Sequence, residues 1–320
     1  EGYWDMCDSQ GKSYAVPYFQ AGVRFNMFWN KNLLREAGLD PEQPPKDVDE
    51  MLEMGRKMTK FGSDGSLEVL GWNPRHWDPF FYWARALGAE YYDSTRRELR
   101  YNNPEFLDFV TKTQAFTQEI GFDKISAWSE GINNQFNQDP FVVEKVAVIT
   151  SQGDWFVSNI RSGNPELEGN YGVNYVPSPI GQKTILGYTH VMVIPKDSKL
   201  SGPAWDFLDW ACGSEEVAQY SYTASGSVAP YIPWRAKQDW TAADKLPFTS
   251  WFINTLNDAD YSGPEEYPEL AGMLGQEMQN RAGSAYEATL AGQLTPSEML
   301  DRLDEEIQPL LDQAIKQYNL

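Results

Sequence analysis

The sequence has 320 residues, of which 41 % are hydrophobic and 22 % charged, with 46 acidic and 26 basic side chains and a formal net charge of −20. Apolar and aromatic side chains in this proportion can form a sizeable buried core, so the chain is not expected to be intrinsically disordered. The acidic excess repels nucleic-acid backbones and anionic membrane surfaces, so neutral or cationic ligands are expected. No stretch approaches the roughly 18 apolar residues of a membrane-spanning helix, and no signal peptide is expected at Glu1 unless one has been removed.

The first predicted elements are two strands and a helix. Residues 13–17 and 23–29 are rich in β-branched and aromatic side chains, which predicts two strands joined by a glycine-containing loop. A helix is predicted to begin at Asn32 and to end at Gly38, because glycine readily takes the left-handed conformation that ends many helices. The prolines that follow prevent its continuation.

The clearest helix start lies at Asp47. Glu50 follows three residues later, which is a capping-box pattern, and apolar residues recur at three- and four-residue spacing from Val48 to Met58. A side chain that caps a helix in this way stabilises it by roughly 1 kcal/mol.

The remaining elements alternate between helices and strands. Helices are predicted at residues 78–87, 104–120, 155–161, 203–212 and 215–223, and strands at residues 146–150, 171–176 and 191–194. A capping box at Thr295 and Glu298 begins a last helix, whose apolar stripe from Met299 to Tyr318 predicts a buried face. The alternation predicts an α/β fold with mostly parallel sheets, and the length favours two such units.

Several short motifs occur in a fixed order along nearly the whole chain. They are Gly11-Lys12-Ser13-Tyr14 with Pro17, Trp29-Asn30-Lys31, Ala37-Gly38-Leu39, Pro44-Pro45-Lys46, Gly153-Asp154-Trp155 and Leu294-Thr295-Pro296-Ser297-Glu298. Each motif alone is weak evidence for any protein family. Together and in this order they resemble the extracellular solute-binding proteins, family 1, of ABC importers, which are maltose-binding-protein-like sugar receptors.

The resemblance implies a two-lobe periplasmic-binding-protein type II architecture, in which hinge strands cross between the lobes and the lobes close over a ligand in the cleft. Residues 23–186 would form lobe two, residues 1–22 and 187–250 the remainder of lobe one, and residues 251–320 a helical segment packed across the lobes. Family members usually carry about three βα units before the motif at Gly11. The sequence therefore resembles a family member without the N-terminal third of lobe one.

The resemblance also implies where the ligand binds. Trp155 stands where family members place a sugar-stacking tryptophan, and Asp154 precedes it in the same motif. An indole that covers a sugar ring with half of its surface contributes roughly 2 to 3 kcal/mol. The alternative is a core tryptophan that anchors the helix after it.

A second group of candidates lies in residues 71–83, GWNPRHWDPFFYW, the densest mixture of aromatic and polar side chains in the chain. Family members contribute an acid and an aromatic ring from this segment, which implies Asp78 together with Trp77 or Phe80. Arg75 in the same run is a further candidate. For Asp78 the alternative is a helix N-cap without contact to ligand.

The last candidates lie on the two crossing strands. Tyr188 and His190 lie on the returning strand, where family members present ligand-facing side chains, and Arg24 lies on the outward strand. An arginine there would donate two hydrogen bonds to neighbouring hydroxyls or pair with one of the many acids. The side chains of the returning strand have the alternative of pointing into a lobe.

These features predict a binding protein without catalytic residues. It would capture a sugar or oligosaccharide outside the cytoplasm, in the periplasm or lipid-anchored on the cell surface, and deliver it to an ABC permease. A monomer is expected, without nucleic acid or cofactor. No metal site is expected either, because Cys7 and Cys212 lie far apart in the sequence and the chain has only two histidines, His76 and His190. Two alternatives stay open: a glycoside hydrolase that uses cleft carboxylates, and a polyamine or other cationic solute as the ligand.

Two other activities lack their motifs. Nucleotide binding would require a glycine-rich phosphate loop, and none is present. Ser-His-Asp catalysis would be expected to show a Gly-x-Ser-x-Gly turn, which is also missing.

Overall fold

The computed structural model describes residues 7–9, 11–75, 80–132, 136–242, 245–263 and 267–318. The strands are β1 (Asp8–Ser9), β2 (Lys12–Ser13), β3 (Val16–Arg24), β4 (Asn26–Asn30), β5 (Lys60–Phe61), β6 (Leu67–Trp72), β7 (Tyr92–Asp93), β8 (Glu98–Leu99), β9 (Val146–Gln152), β10 (Tyr171–Tyr175), β11 (Thr184–Met192) and β12 (Tyr261–Gly263). The helices are α1 (Lys31–Glu36), α2 (Val48–Met58), α3 (Ala84–Leu87), α4 (Pro104–Ile120), α5 (Phe122–Glu130), α6 (Phe156–Gly163), α7 (Ser201–Gly213), α8 (Glu215–Ser225), α9 (Ile232–Arg235), α10 (Thr249–Asp258), α11 (Pro268–Met273), α12 (Gly275–Leu290) and α13 (Pro296–Tyr318).

A five-stranded sheet carries the larger part of the core. Its strand order is β10–β4–β9–β6–β5, and β9 runs parallel to β6 and antiparallel to β4. The prediction of mostly parallel sheets is wrong, because β10 and β5 also pair antiparallel with their neighbours. Every residue of β9 is buried, as expected for a strand covered on both faces. Phe28 of β4 packs edge-on against Phe156 of α6, with ring centroids 5.2 Å apart. On β6, a Cβ atom at Gly71 would collide with the carbonyl oxygen of Gly55 in α2, so helix and strand touch through their backbones.

The second sheet has three strands in the order β12–β11–β3. Strand β3 pairs antiparallel with β11 from Arg24 opposite Leu186 to Val16 opposite Met192. Only Phe25, with a φ of 66°, separates β3 from β4. The chain therefore passes from the three-stranded to the five-stranded sheet at a single residue.

The two capping boxes form at the predicted helix starts. The Asp47 side chain accepts a hydrogen bond from the Glu50 N–H at 2.8 Å, while the Glu50 carboxylate accepts one from the Lys46 N–H rather than from Asp47. Before α13 the exchange is reciprocal. The Thr295 N–H donates to Glu298 at 2.8 Å, and the Glu298 N–H donates to the Thr295 hydroxyl at 3.2 Å.

The predicted helix at residues 104–120 is confirmed as α4, Pro104–Ile120. The helix predicted at residues 78–87 is instead a 3-10 turn at Phe80–Trp83 followed by the single turn of α3. All four aromatic side chains of that turn are buried, and four consecutive residues cannot share one face of an α-helix.

The predicted loop between residues 17 and 23 is also wrong, because these residues continue β3. Strand β11 pairs with residues 16–18 and 21–24 of β3, and the register shifts between these two parts, at Thr189 and His190. For the same reason the strand predicted at residues 191–194 is the end of β11, which begins at Thr184.

The C-terminal helices α12 and α13 pack against α4 and against each other. The predicted stripe of α13 is buried, since Met299, Leu303, Ile307 and Leu311 are each at most 1 % exposed. Within the described ranges, no helix is long and apolar enough to cross a membrane.

The helices beside the three-stranded sheet are less covered. On α7, Leu208 is buried, but Trp205, Phe207 and Trp210 are exposed by 56, 51 and 51 %. The name "α7 face" is used below for these three aromatic side chains.

Candidate ligand-binding cleft

The parallel strands β6 and β9 lead at their carboxyl ends to a pocket with aromatic walls. Its lining consists of the six rings of Phe25, Trp72, Phe80, Trp83, Phe109 and Tyr286 and of Asn73, Pro74, Thr150 and Ser151. The six rings of this aromatic pocket are each at most 8 % exposed, and the cavity between them measures about 10 Å³, which is room for about one water molecule. A larger ligand would enter only if the walls moved apart. Open α/β sheets bind ligands at the carboxyl ends of their strands, so the pocket is a candidate binding site by position.

The chemistry of the aromatic pocket is neutral. Phe25 meets Trp83 edge-on with centroids 5.3 Å apart, and the Trp72 indole N–H lies 3.5 Å from the Thr150 hydroxyl. The described lining residues include the amide of Asn73 and the hydroxyls of Thr150, Ser151 and Tyr286, the last of which donates to Thr113, but no charged side chain. Flat apolar surfaces next to a few uncharged hydrogen-bonding groups suit a ligand that has both C–H faces and hydroxyls.

Trp155 lies between β9 and α6 and is partly buried at the edge of the core. Gly153 makes this placement possible, because a Cβ atom at that position would collide with the Trp155 ring and with the carbonyl oxygen of Val23. The indole therefore lies directly on the backbone of Gly153, and the end of β9 lies directly against β3. Part of the indole surface remains accessible to solvent.

Asp154, next to that tryptophan, is 4 % exposed. One carboxylate oxygen, Oδ1, accepts a hydrogen bond from the Trp155 N–H at 3.1 Å, and Oδ2 accepts one from the Val228 N–H at 3.2 Å. Burial raises the pKa of Asp154 to about 7, although these backbone hydrogen bonds oppose the rise by favouring the charged form. The carboxyl group therefore titrates near neutral pH.

The predicted candidates in residues 71–83 are placed differently from one another. Phe80 lines the aromatic pocket and packs against Phe106 and Tyr286, with centroids 5.0 and 5.5 Å away. It is 2 % exposed, so the core alternative is compatible with its position. Trp77 and Asp78 lie outside the described residues.

Arg75 follows the aromatic pocket in sequence but is engaged elsewhere. Its guanidinium forms a two-pronged ion pair with Glu287 of α12, with N–O distances of 2.5 and 3.0 Å. It also donates to the Ser126 hydroxyl at 2.9 Å and lies over the Phe122 ring. These contacts join the loop after β6 to α5 and α12.

The candidates on the crossing strands are distributed along the β3–β11 pairing, with Arg24 at one end, opposite Leu186, and Tyr188 and His190 within it. The Arg24 guanidinium carbon lies 5.7 Å from the centre of the Tyr82 ring, and Arg24 immediately precedes Phe25 of the aromatic pocket. His190 is exposed on β11, next to a register shift that follows Thr189. The side chain of Tyr188 lies outside the described part of the chain.

The family of bacterial extracellular solute-binding proteins matches residues 1–218 of the chain. The chain belongs to this family.

Among curated relatives, this solute-binding protein is similar to the sn-glycerol-3-phosphate-binding periplasmic protein UgpB of Escherichia coli strain K12. The two are 24 % identical over 207 residues, which are 61 % of this chain and 44 % of UgpB. The chain thus spans less than half the length of the curated relatives that it matches.

Two solved structures show how this solute-binding protein folds. CpMnBP1 with bound mannotriose is 26 % identical with a TM-score of 0.79, covering 96 % of this chain and 76 % of that one. The sugar-binding protein MalE of Xanthomonas citri is 19 % identical with a TM-score of 0.67, covering 100 % of this chain and 76 % of that one. The predicted fold class, the α/β two-lobe periplasmic-binding-protein type II architecture, is confirmed.

Of the ten lining residues of the aromatic pocket in this solute-binding protein, only Phe80 was a predicted ligand contact. Phe25, Asn73, Pro74, Trp83 and Phe109 were not predicted, and neither were four further residues, Trp72, Thr150, Ser151 and Tyr286. A signal was available for three of these four, because they end strands that were predicted or detectable, where α/β folds bind ligands. No comparable signal existed for Tyr286, which reaches the pocket from α12 through long-range packing. The roles of the predicted site residues stay predictions.

Proposed function

We propose that this protein captures a neutral oligosaccharide between two lobes and delivers it, without changing it chemically, to an ABC permease in the membrane. It does so outside the cytoplasm and as a monomer. Membership of the family of extracellular solute-binding proteins carries the proposal. The aromatic pocket adds rings and uncharged hydrogen-bonding groups that an opening of the lobes would expose to a ligand. The mannotriose bound to CpMnBP1 supports the same ligand class.

Closure over the ligand follows from the crossing strands. We propose that residues 23–186 form lobe two, that residues 1–22 and 187–250 belong to lobe one, and that residues 251–320 form a helical segment packed across the lobes. The pairing of Arg24 with Leu186 lies at this boundary. A ligand that touches both lobes shifts the population towards the closed state, because only that state offers both sets of contacts.

Other ligands require other chemistry. A phosphorylated polyol, the ligand for which UgpB is named, requires cationic or backbone N–H donors, and a polyamine requires several carboxylates. The described lining of the aromatic pocket supplies neither arginine, lysine nor carboxylate. Glycoside hydrolysis likewise needs two carboxyl groups beside the scissile bond.

A ligand panel tests the proposal. Thermal unfolding is measured with mannobiose, mannotriose, maltotriose, sn-glycerol 3-phosphate and spermidine, and a neutral oligosaccharide is expected to raise the melting temperature. A ligand at one hundred times its dissociation constant stabilises the folded state by about 2.7 kcal/mol. Stabilisation only by glycerol 3-phosphate or spermidine, or by none of the five, would refute the proposal. Release of reducing ends would refute its non-catalytic part.

The stacking role of Trp155 has a matched control on the same chain. Trp155→Ala is expected to weaken binding of the stabilising oligosaccharide more than tenfold, because about 2 kcal/mol of indole burial is lost. Trp205→Ala removes an exposed indole from the α7 face and is expected to leave affinity unchanged. Isothermal titration calorimetry measures both. Equal affinities for the two variants would rule out stacking by Trp155.

A further inference from the structure

The loop after α8 contacts the beginning of α6. Gly226 ends α8 with a φ of 79°, and its N–H donates to the Tyr222 carbonyl at 2.9 Å. A Cβ atom on Gly226 would lie 3.0 Å from Cβ of Ser158, so the loop lies directly on the first turn of α6. Two residues later, the Val228 N–H donates to Asp154 Oδ2.

The same carboxylate also touches the crossing strand β3. A Cβ atom on Gly22 would collide with Asp154 Oδ1, and the Asp154 N–H donates to the Val23 carbonyl at 3.2 Å. Residue 154 therefore joins three segments that are distant in sequence: β3, the start of α6, and the loop at residues 226–228. In the proposed division of the chain, the loop belongs to lobe one and Asp154 to lobe two.

Asp154 is a poor ligand contact for two reasons. Its side chain is 4 % exposed, and both of its oxygens already accept backbone hydrogen bonds. Removing an acceptor oxygen from this site leaves a buried N–H group without a partner, which is costly. The Asp154 side chain is thus better suited to bind backbone N–H groups than to contact a ligand.

We propose that Asp154 is a positioning residue, which ties the crossing strand and the loop at residues 226–228 to the segment that presents Trp155. Its carboxylate fixes the start of α6 and with it the orientation of the indole. The ligand role of Trp155 rests on the proposed function, whereas the tether itself does not.

The tether is tested by amide hydrogen exchange at Val228, which needs no ligand. Asp154→Asn keeps the shape of the side chain but has one acceptor oxygen in place of two, so one backbone N–H faces an NH₂ group. Exchange at Val228 or at Trp155 is expected to rise at least tenfold. Asp139→Asn is the matched control, because Asp139 is also buried, at 5 %, and also accepts a backbone N–H, from Phe141 at 2.9 Å.

A second variant approaches the tether from the strand. Gly22→Ala drives a methyl group into Asp154 and is expected to raise exchange at Val228 as well, whereas Gly202→Ala, in open space on α7, leaves it unchanged. It also keeps the tether testable where Asp154→Asn does not fold. In protein labelled with 5-fluorotryptophan, the resonance lost in Trp155→Phe is expected to shift in Asp154→Asn and Gly22→Ala but not in the two controls.

The outcomes separate this proposal from the proposed function. Unchanged exchange at both Val228 and Trp155 in Asp154→Asn would overturn the tether. So would weaker mannotriose binding in that variant with unchanged exchange, because that result assigns Asp154 to the ligand. Faster exchange in a protein that binds none of the sugars supports the tether and counts only against the proposed ligand.

Discussion

Aromatic side chains are buried in the five-stranded sheet but exposed on the α7 face. Phe28 in β4 is fully buried and lies within 6.3 Å of the rings of Phe141 and Tyr171, whereas Phe207 on α7 is 51 % exposed. Helix α7 is apolar on most sides, which is typical of a buried helix. The difference teaches that apolar composition predicts a packing surface, while burial requires a second layer of structure over it.

Removing one ring from each region gives the largest expected contrast. Phe28→Ala is expected to lower the free energy of unfolding by roughly 3 to 5 kcal/mol, because it leaves a cavity among packed rings. Phe207→Ala is expected to change it by about 0.5 kcal/mol or less, as is usual for exposed sites. Urea denaturation measures both. Similar losses would mean that the α7 face is packed in solution.

Asp154 joins the end of β9 in the five-stranded sheet to β3 and to the loop at residues 226–228, and its titration makes the stability of the protein sensitive to pH. Its pKa is raised in the folded protein, to about 7 against 3.8 as the ordinary value, so the folded state holds this proton more tightly than the unfolded state. The resulting stability is complete below pH 4 and is lost as the pH rises through about 7. From pH 5 to pH 8 the loss amounts to roughly 2 to 3 kcal/mol.

Denaturation at the two pH values checks this prediction. Asp154→Asn is expected to lose the corresponding part of the pH dependence, since an amide does not titrate. Wild-type protein measured in two different buffers at each pH controls for buffer ions. An identical pH dependence in variant and wild type would show that Asp154 does not hold the proton.

Adding a methyl group to each region gives a smaller contrast. Gly71→Ala places a Cβ atom against the backbone of Gly55 and is expected to destabilise by roughly 1 to 3 kcal/mol, as overpacking does. Gly202→Ala meets nothing within 4 Å and is expected to stabilise α7 by up to about 1 kcal/mol. Thermal unfolding compares them. A stable Gly71→Ala variant would mean that α2 can move away from β6.

Local signals predicted local structure well. The capping boxes at Asp47 and Thr295 and the helix at residues 104–120 were identified from residues a few positions apart. The length of β3 was missed, because its register depends on β11, more than 160 residues away in the chain. A strand whose pairing partner is distant leaves little trace in its own sequence.

The candidate site followed the same rule. The Gly153-Asp154-Trp155 motif was found from its spacing, but the contact of Asp154 with the loop at residues 226–228 was not. Tyr286 could not be assigned to the aromatic pocket either, because only the packing of α12 brings it there. The aromatic pocket and the Asp154 tether are formed by tertiary contacts, so sequence motifs identify only some of the residues in them.

Phe25 links the aromatic pocket to the backbone segment that joins the two sheets. A non-glycine residue with a φ of 66° is strained, and here its 1 % exposed ring is held edge-on by Trp83 in the pocket wall. Phe25 is thus both the residue at which the chain passes between the two sheets and part of the pocket wall. Because β3 is nine residues long, a rotation of a few degrees about the backbone torsions of Phe25 would displace the far end of that strand relative to the five-stranded sheet.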